Sequence, residues 1–150
     1  MNKIFSALTL VLVMLSCKPK ARPVLAAEYL HQENGMQVIT SLINNKNKTI
    51  SVIYGNQLAA AFAGNVRREH QAGEKFVMVT SDQRPMPHWY GTNMNGAILS
   101  VESATAVVTE EGVVGFNYMR RGGNGKLMTE GVDETSRIRF MTGQSAAVHP

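Results

Sequence analysis

Cys17 is the only cysteine in this chain of 150 residues. Whatever folds after it has no disulfide to staple it and no thiolate cluster to gather around a metal, so its elements must be held by apolar packing. The composition allows that. Hydrophobic residues make up 44% of the chain and charged ones 17%, the balance of an ordinary globular protein with enough apolar surface for one modest core. The length matches about one domain, and a second core is not expected.

The position of Cys17 is as informative as its solitude. Lys3 forms a short positive start, and Ile4 to Leu15 is an apolar run broken only by Ser6 and Thr9, the pattern of an export signal. The run is too short to cross a membrane, which takes about 20 apolar residues. Met14-Leu15-Ser16-Cys17 follows, and it resembles a bacterial lipobox, in which a small residue precedes the cysteine that receives the lipid. On this reading residues 1–16 are a signal peptide, Cys17 is the lipidation site, residues 17–26 are a basic, proline-containing tether, and residues 27–150 form the domain. A second reading places ordinary cleavage after Val24-Leu25-Ala26. Against it stand Lys18, Pro19, Lys20, Arg22 and Pro23, because charges and prolines rarely separate an apolar segment from its own cleavage site. Lipidation implies export to the cell envelope, with the domain facing the periplasm or the exterior and the membrane as a partner. The net charge of +4, or +3 once Lys3 is removed, is spread out and lacks the dense patch of a nucleic-acid binder.

Along the domain the spacing predicts a short helix over 26–33, a strand over 36–43, an Asn-rich turn over 44–48 and a β-branched strand over 49–54. Asn56 is placed to cap a main helix over 57–70, with Leu58, Ala61, Phe62 and Val66 on its inner side. Gly64 inside it suggests close packing on a sheet. Lys75 to Thr80 is a short apolar run expected to be central and buried on both faces, ended by Arg84-Pro85-Met86-Pro87. Residues 97–109 and 112–119 read as a hairpin turning at Glu110-Glu111-Gly112, and Arg137 to Met141 as an edge strand. The expected fold class is α+β: about five mostly antiparallel strands with one main helix packed on one face.

Sites of chemistry are sparse. His31, His70, His88 and His149 show no HxxxH or HxH spacing, so no metal site is signalled. His70 is expected to be a cation at the C-terminal end of the main helix. No GxSxG elbow singles out a serine, and no catalytic residue is assigned. The glycines of Arg121 to Lys126 lack phosphate-loop spacing and read as a hairpin loop. The unusual stretch is Pro85 to Gly91, which places His88 beside Trp89 and Tyr90 on a proline-stiffened loop. These three are the candidate ligand-binding residues, with core-plugging aromatics as the alternative.

The order of pieces, TISVIYGNQLA at 49–59, GEKFVMVT at 73–80, PHWYGTNMNG at 87–96 and ILSVES at 98–103, resembles the cytochrome P-460 family over roughly Thr49 to Tyr118. The resemblance implies a small antiparallel sheet with helices. Members of that family carry a c-type haem on a CxxCH motif near the C-terminus and oxidise small nitrogen compounds such as hydroxylamine. Here the corresponding tail, DETSRIRFMTGQSAAVHP at 133–150, has no cysteine, so covalent c-type attachment is chemically impossible. No resident cofactor is expected, with non-covalent haem through His88 or His149 left open. The resulting expectation is an envelope binding or accessory module with an unidentified small ligand or envelope protein as partner. The alternatives are a redox enzyme on small nitrogen compounds with non-covalent haem lined by His88 and Trp89, and a structural interaction protein using the aromatic loop.

Overall fold

In a computed structural model the described residues are 34–64, 69–86, 91, 93–129 and 131–147. They form one antiparallel sheet of five strands in sequential order, with two helices. Strand β1 spans Gln37–Asn44 and β2 Thr49–Gly55. Helix α1, Gln57–Ala63, precedes β3, Lys75–Pro85. Strands β4, Asn93–Val108, and β5, Val114–Gly122, complete the meander, and α2, Glu134–Thr142, follows. This is an α+β domain.

The register divides the sheet chemically. Ile53, Met78 and Glu102 lie opposite one another in successive strands, and Arg120 continues their row on β5. On one side of it is the row Gly55, Phe76, Ala104 and Tyr118, and on the other Ser51, Thr80, Ser100 and Gly122. Since side chains alternate faces every residue, all three rows share one face of the sheet. That face therefore runs from apolar, through a row that ends in charges, to a row of hydroxyls.

The helices settle on the apolar end. Ala59 and Ala63 of α1 and Met141 of α2 join Ile39, Ile53, Phe76, Met78 and Ala104 in one buried cluster. A register shift between Val38 and Thr40 leaves Ile39 unpaired and turns it into this core. Gly55 makes the approach possible, because a Cβ there would stand 2.6 Å from Ile39 Cδ1 and 3.0 Å from Ala59 Cβ. The segment after α2 closes the structure: Ala146 N donates to Ala63 O and Ala147 N to Ile39 O.

Three expectations need correction. The main helix is half the expected length, ending at Ala63, where the Gly64 N–H donates to Ala60 O as a cap and is exposed rather than packed on the sheet. Residues 137–141 are helical and not an edge strand. Their alternation suggested a strand, but Asp133 caps the segment through the Ser136 N–H, Glu134 sits in the first turn, and Ile138 and Met141 reach the core at helical spacing. The described residues thus hold two short helices where one main helix was expected. Strand β3 meanwhile continues past residue 80 to Pro85, paired with Asn93 where the ladder ends and a missing N–H costs little. As expected it is the middle strand, with Phe76, Val77, Met78 and Val79 all buried. The helix expected over 26–33 lies outside the described residues.

Candidate functional site

Glu102 is 1% exposed, and it sits in the row where apolar residues give way to polar ones. A carboxylate taken out of water at that depth needs charged or hydrogen-bonding partners. It has three. Arg137 donates from Nε to Oε2 and from Nη2 to Oε1, both at 2.8 Å, as a two-pronged fork, and the Tyr118 hydroxyl donates to Oε2 at 2.6 Å. The capped start of α2 puts Arg137 one turn in, directly over β4. The i, i+2 alternation of β5 points Tyr118 and Arg120 to the same face.

Arg120 stands apart from this arrangement. Its Nε lies 3.7 Å from Glu102 Oε1, inside ion-pair range but beyond a hydrogen bond, and is buried with no hydrogen-bond partner. The electrostatics follow from the geometry. Burial, and then the hydrogen bond to Glu102, push the Tyr118 phenol above its ordinary value, while the Glu102 hydrogen bonds raise Arg137 further. Under neutral conditions the floor therefore holds one carboxylate, two guanidinium groups and a neutral phenol.

Above this floor opens a cleft of about 770 Å³. Ser51, Thr80 and Ser100 continue the floor, with the Ser51 and Thr80 hydroxyls hydrogen-bonded at 2.9 Å. Leu42, Leu99, Met128, Val132 and Phe140 supply apolar wall, and Asn44, Asn45 and Asp133 form the rim. Met128 is carried there by a reversal after β5, in which Gly123 N donates to Leu99 O and Met128 N to Arg120 O. A Cβ at residue 123 would stand 1.9 Å from Ile98 O, so only glycine lets the turn lie this close to β4. The glycine-rich segment is thus an ordered turn that builds the cleft wall. Asp133 is engaged as a helix cap, and its hydrogen bonds from Ser136 hold its carboxyl below the usual range. A smaller depression of about 240 Å³ on the opposite face is lined by Lys75, Val77, Val101, Ser103, Met119 and Arg121.

Cys17, His88, Trp89 and Tyr90 all lie outside the described residues, as do His31 and His149. Of the segments on either side of His88, Trp89 and Tyr90, β3 ends at Pro85 and β4 begins at Asn93. The fourth histidine is described, and its expected role is corrected. His70 does not stand at the end of α1, which stops at Ala63. Its Nδ1 meets Glu74 Oε2 at 2.6 Å, and its ring stacks on Phe62 with centroids 3.9 Å apart. Glu74 is itself fully buried and accepts from the Gln71 N–H, so this pair secures the entry to β3. Among the described residues no group of three or more His, Cys, Asp or Glu could hold a metal ion, and no helix is long and apolar enough to cross a membrane.

Sequence reasoning singled out none of Glu102, Tyr118, Arg120 and Arg137. A signal was available. Once 97–109 and 112–119 are accepted as strands, period-two alternation puts Ser100, Glu102 and Ala104 on one face, and likewise Phe116 and Tyr118, with Arg120 next in the same alternation. A charged residue at an inward position is the kind of local inconsistency that marks a site.

No protein-family model matches the chain, and a search of curated proteins returns no match.

Proposed function

We propose that this chain is an exported lipoprotein, anchored through Cys17, whose domain is a haem-free relative of the cytochrome P-460 fold and acts as a binding or accessory module at the cell envelope. The cleft over Glu102 is its binding site. One observation carries the binding role: a buried ion cluster is held at the floor of an open cleft of about 770 Å³. Such a cluster is a poor way to stabilise a small core, where apolar residues of similar volume do as well or better. Convergent polar groups beneath apolar walls are the usual make-up of a ligand pocket. The lipobox-like Met14 to Cys17 supports the anchor, and the ordered motifs between Thr49 and Tyr118 support the kinship.

The cleft supports the haem-free reading: among its described lining residues Met128 is the one side chain of a kind that ligates haem iron, with no imidazole or thiolate beside it, and the Glu102 fork occupies its floor. No step is therefore routed through an iron centre. Full-length protein from a haem-replete exporting host is expected to be colourless and to carry labelled fatty acid that Cys17→Ser abolishes. A stoichiometric Soret band overturns the haem-free reading, and label unaffected by Cys17→Ser overturns the anchor.

A further inference from the structure

Glu102 and its neighbours leave one positive charge unanswered. The carboxylate takes both prongs of Arg137 and the Tyr118 hydroxyl, and with three short hydrogen bonds it is well satisfied. Arg120 brings a second guanidinium to the same floor, 29% exposed, with its Nε buried and without a hydrogen-bond partner. The other acid among the described lining residues, Asp133, belongs to the rim and is held by Ser136 at the start of α2. The Arg120 Nε is closed to solvent, but Arg120 lines the cleft with the exposed part of its side chain, and it is there that an entering anion can pair with the guanidinium charge. The remaining surroundings specify the rest of the molecule. Leu42, Leu99, Met128, Val132 and Phe140 suit an apolar body, and the Ser100 and Thr80 hydroxyls suit a polar edge beside the charge.

Resting on the binding-site reading above, we propose that the ligand is a small organic acid, one carboxylate on an apolar body, and that Arg120 selects its charge. Arg137 is a positioning residue: it neutralises Glu102 and so keeps Arg120 free for the ligand. A neutral ligand of the same shape fills the walls but leaves the Arg120 charge without a counter-charge.

The test uses full-length protein in detergent, with a protein-free detergent blank, and two probes followed by fluorine NMR: para-trifluoromethylbenzoate and its neutral twin, para-trifluoromethylbenzamide. Wild type is expected to bind the acid roughly tenfold more tightly than the amide, the scale of one charged hydrogen bond. Arg120→Gln should erase that preference, and Arg120→Lys should restore part of it. Arg121→Gln is the control, since it removes the same charge from the next residue on the opposite face. Equal affinity of wild type for acid and amide overturns the proposal but leaves the cleft as a binding site. An equal loss in Arg120→Gln and Arg121→Gln also overturns it, by tracing the preference to net charge. If neither probe binds wild type, the binding-site reading falls and this inference with it. Should Arg120→Gln fail to fold by circular dichroism, the wild-type ratio and Arg120→Lys decide.

Discussion

Arg137→Met removes both charged hydrogen bonds from Glu102 while keeping most of the volume that α2 lays against β3 and β4. What remains to the buried carboxylate is the Tyr118 hydroxyl and a guanidinium 3.7 Å away. Stripping one partner from a fully buried ion pair costs about 3–5 kcal/mol. Two features lower the figure here. The Arg137 side chain is 35% exposed, so solvent already screens part of the attraction, and Arg120 can close its gap to Oε1. The expected loss is about 2 kcal/mol, or a fall of roughly 8 °C in Tm for a domain of this size. Glu102→Gln should cost less, because the two guanidinium groups it leaves, Arg137 and Arg120, are each partly exposed to water, and the new amide oxygen still accepts from Arg137. The double variant should lose less than the sum of the two. Urea denaturation at neutral pH, followed by circular dichroism, measures all three. A cost for Arg137→Met equal to or below that of Glu102→Gln, or strict additivity, refutes the assignment of Glu102 as a buried carboxylate dependent on Arg137.

Alkaline pH offers an independent check on the same floor. The Tyr118 phenol is raised above its ordinary value of 10.0 by burial and by Glu102, so above about pH 10 the unfolded chain releases that proton while the folded chain keeps it. Its contribution to stability is full below that pH and is lost as pH rises; Tyr118→Phe should flatten the alkaline fall in the urea midpoint, and an unchanged slope contradicts the burial of this hydroxyl. At the opposite end of the sheet, Asn56 accepts from the Ala59 and Lys75 N–H groups and donates to Gly73 O at 2.7 Å. Asn56→Ala should therefore cost about 2 kcal/mol, the upper part of the range for a lost N-cap, measured by the same denaturation; a loss under about 0.5 kcal/mol would show the cap to be replaceable.

How far the sequence discloses the structure varies by element for physical reasons. Thr49 to Tyr54 and Lys75 to Thr80 are legible because β-branched alternation and a wholly apolar run leave few other solutions, and both are strands. Asn56 is legible as a cap because its side chain acts locally. The length of α1 is not, since Val66, Arg67 and Arg68 continue a helical pattern and only the cap at Gly64 ends it. Helix α2 is misleading: Arg137-Ile138-Arg139-Phe140 alternates, and the deciding signals lie upstream at Asp133 and Ser136. The site is the least legible part. Glu102 meets Arg137 across 35 residues of sequence and Tyr118 across 16. No spacing rule joins them; register does.

Register also explains why a cleft lies where it does. On the helix-bearing face the row of Gly55, Phe76 and Ala104 admits close packing, and α1 and α2 place Ala59, Ala63 and Met141 against that end. Four residues further along each strand the side chains are Ser51, Thr80 and Ser100, which offer little apolar area to reward a covering element. The sheet continues beyond them, with β3 and β4 paired out to Pro85 and Asn93, so the stretch that the described helices leave open has a paired floor. Glu102 stands at the boundary between the two regimes. There it can be buried by the core on one side and still present its second guanidinium, Arg120, to the open side. A single cross-strand row thus couples the stability of the domain to the chemistry of its cleft. That coupling is why the same carboxylate governs both the denaturation of Arg137→Met and the charge that Arg120 has left to offer a ligand.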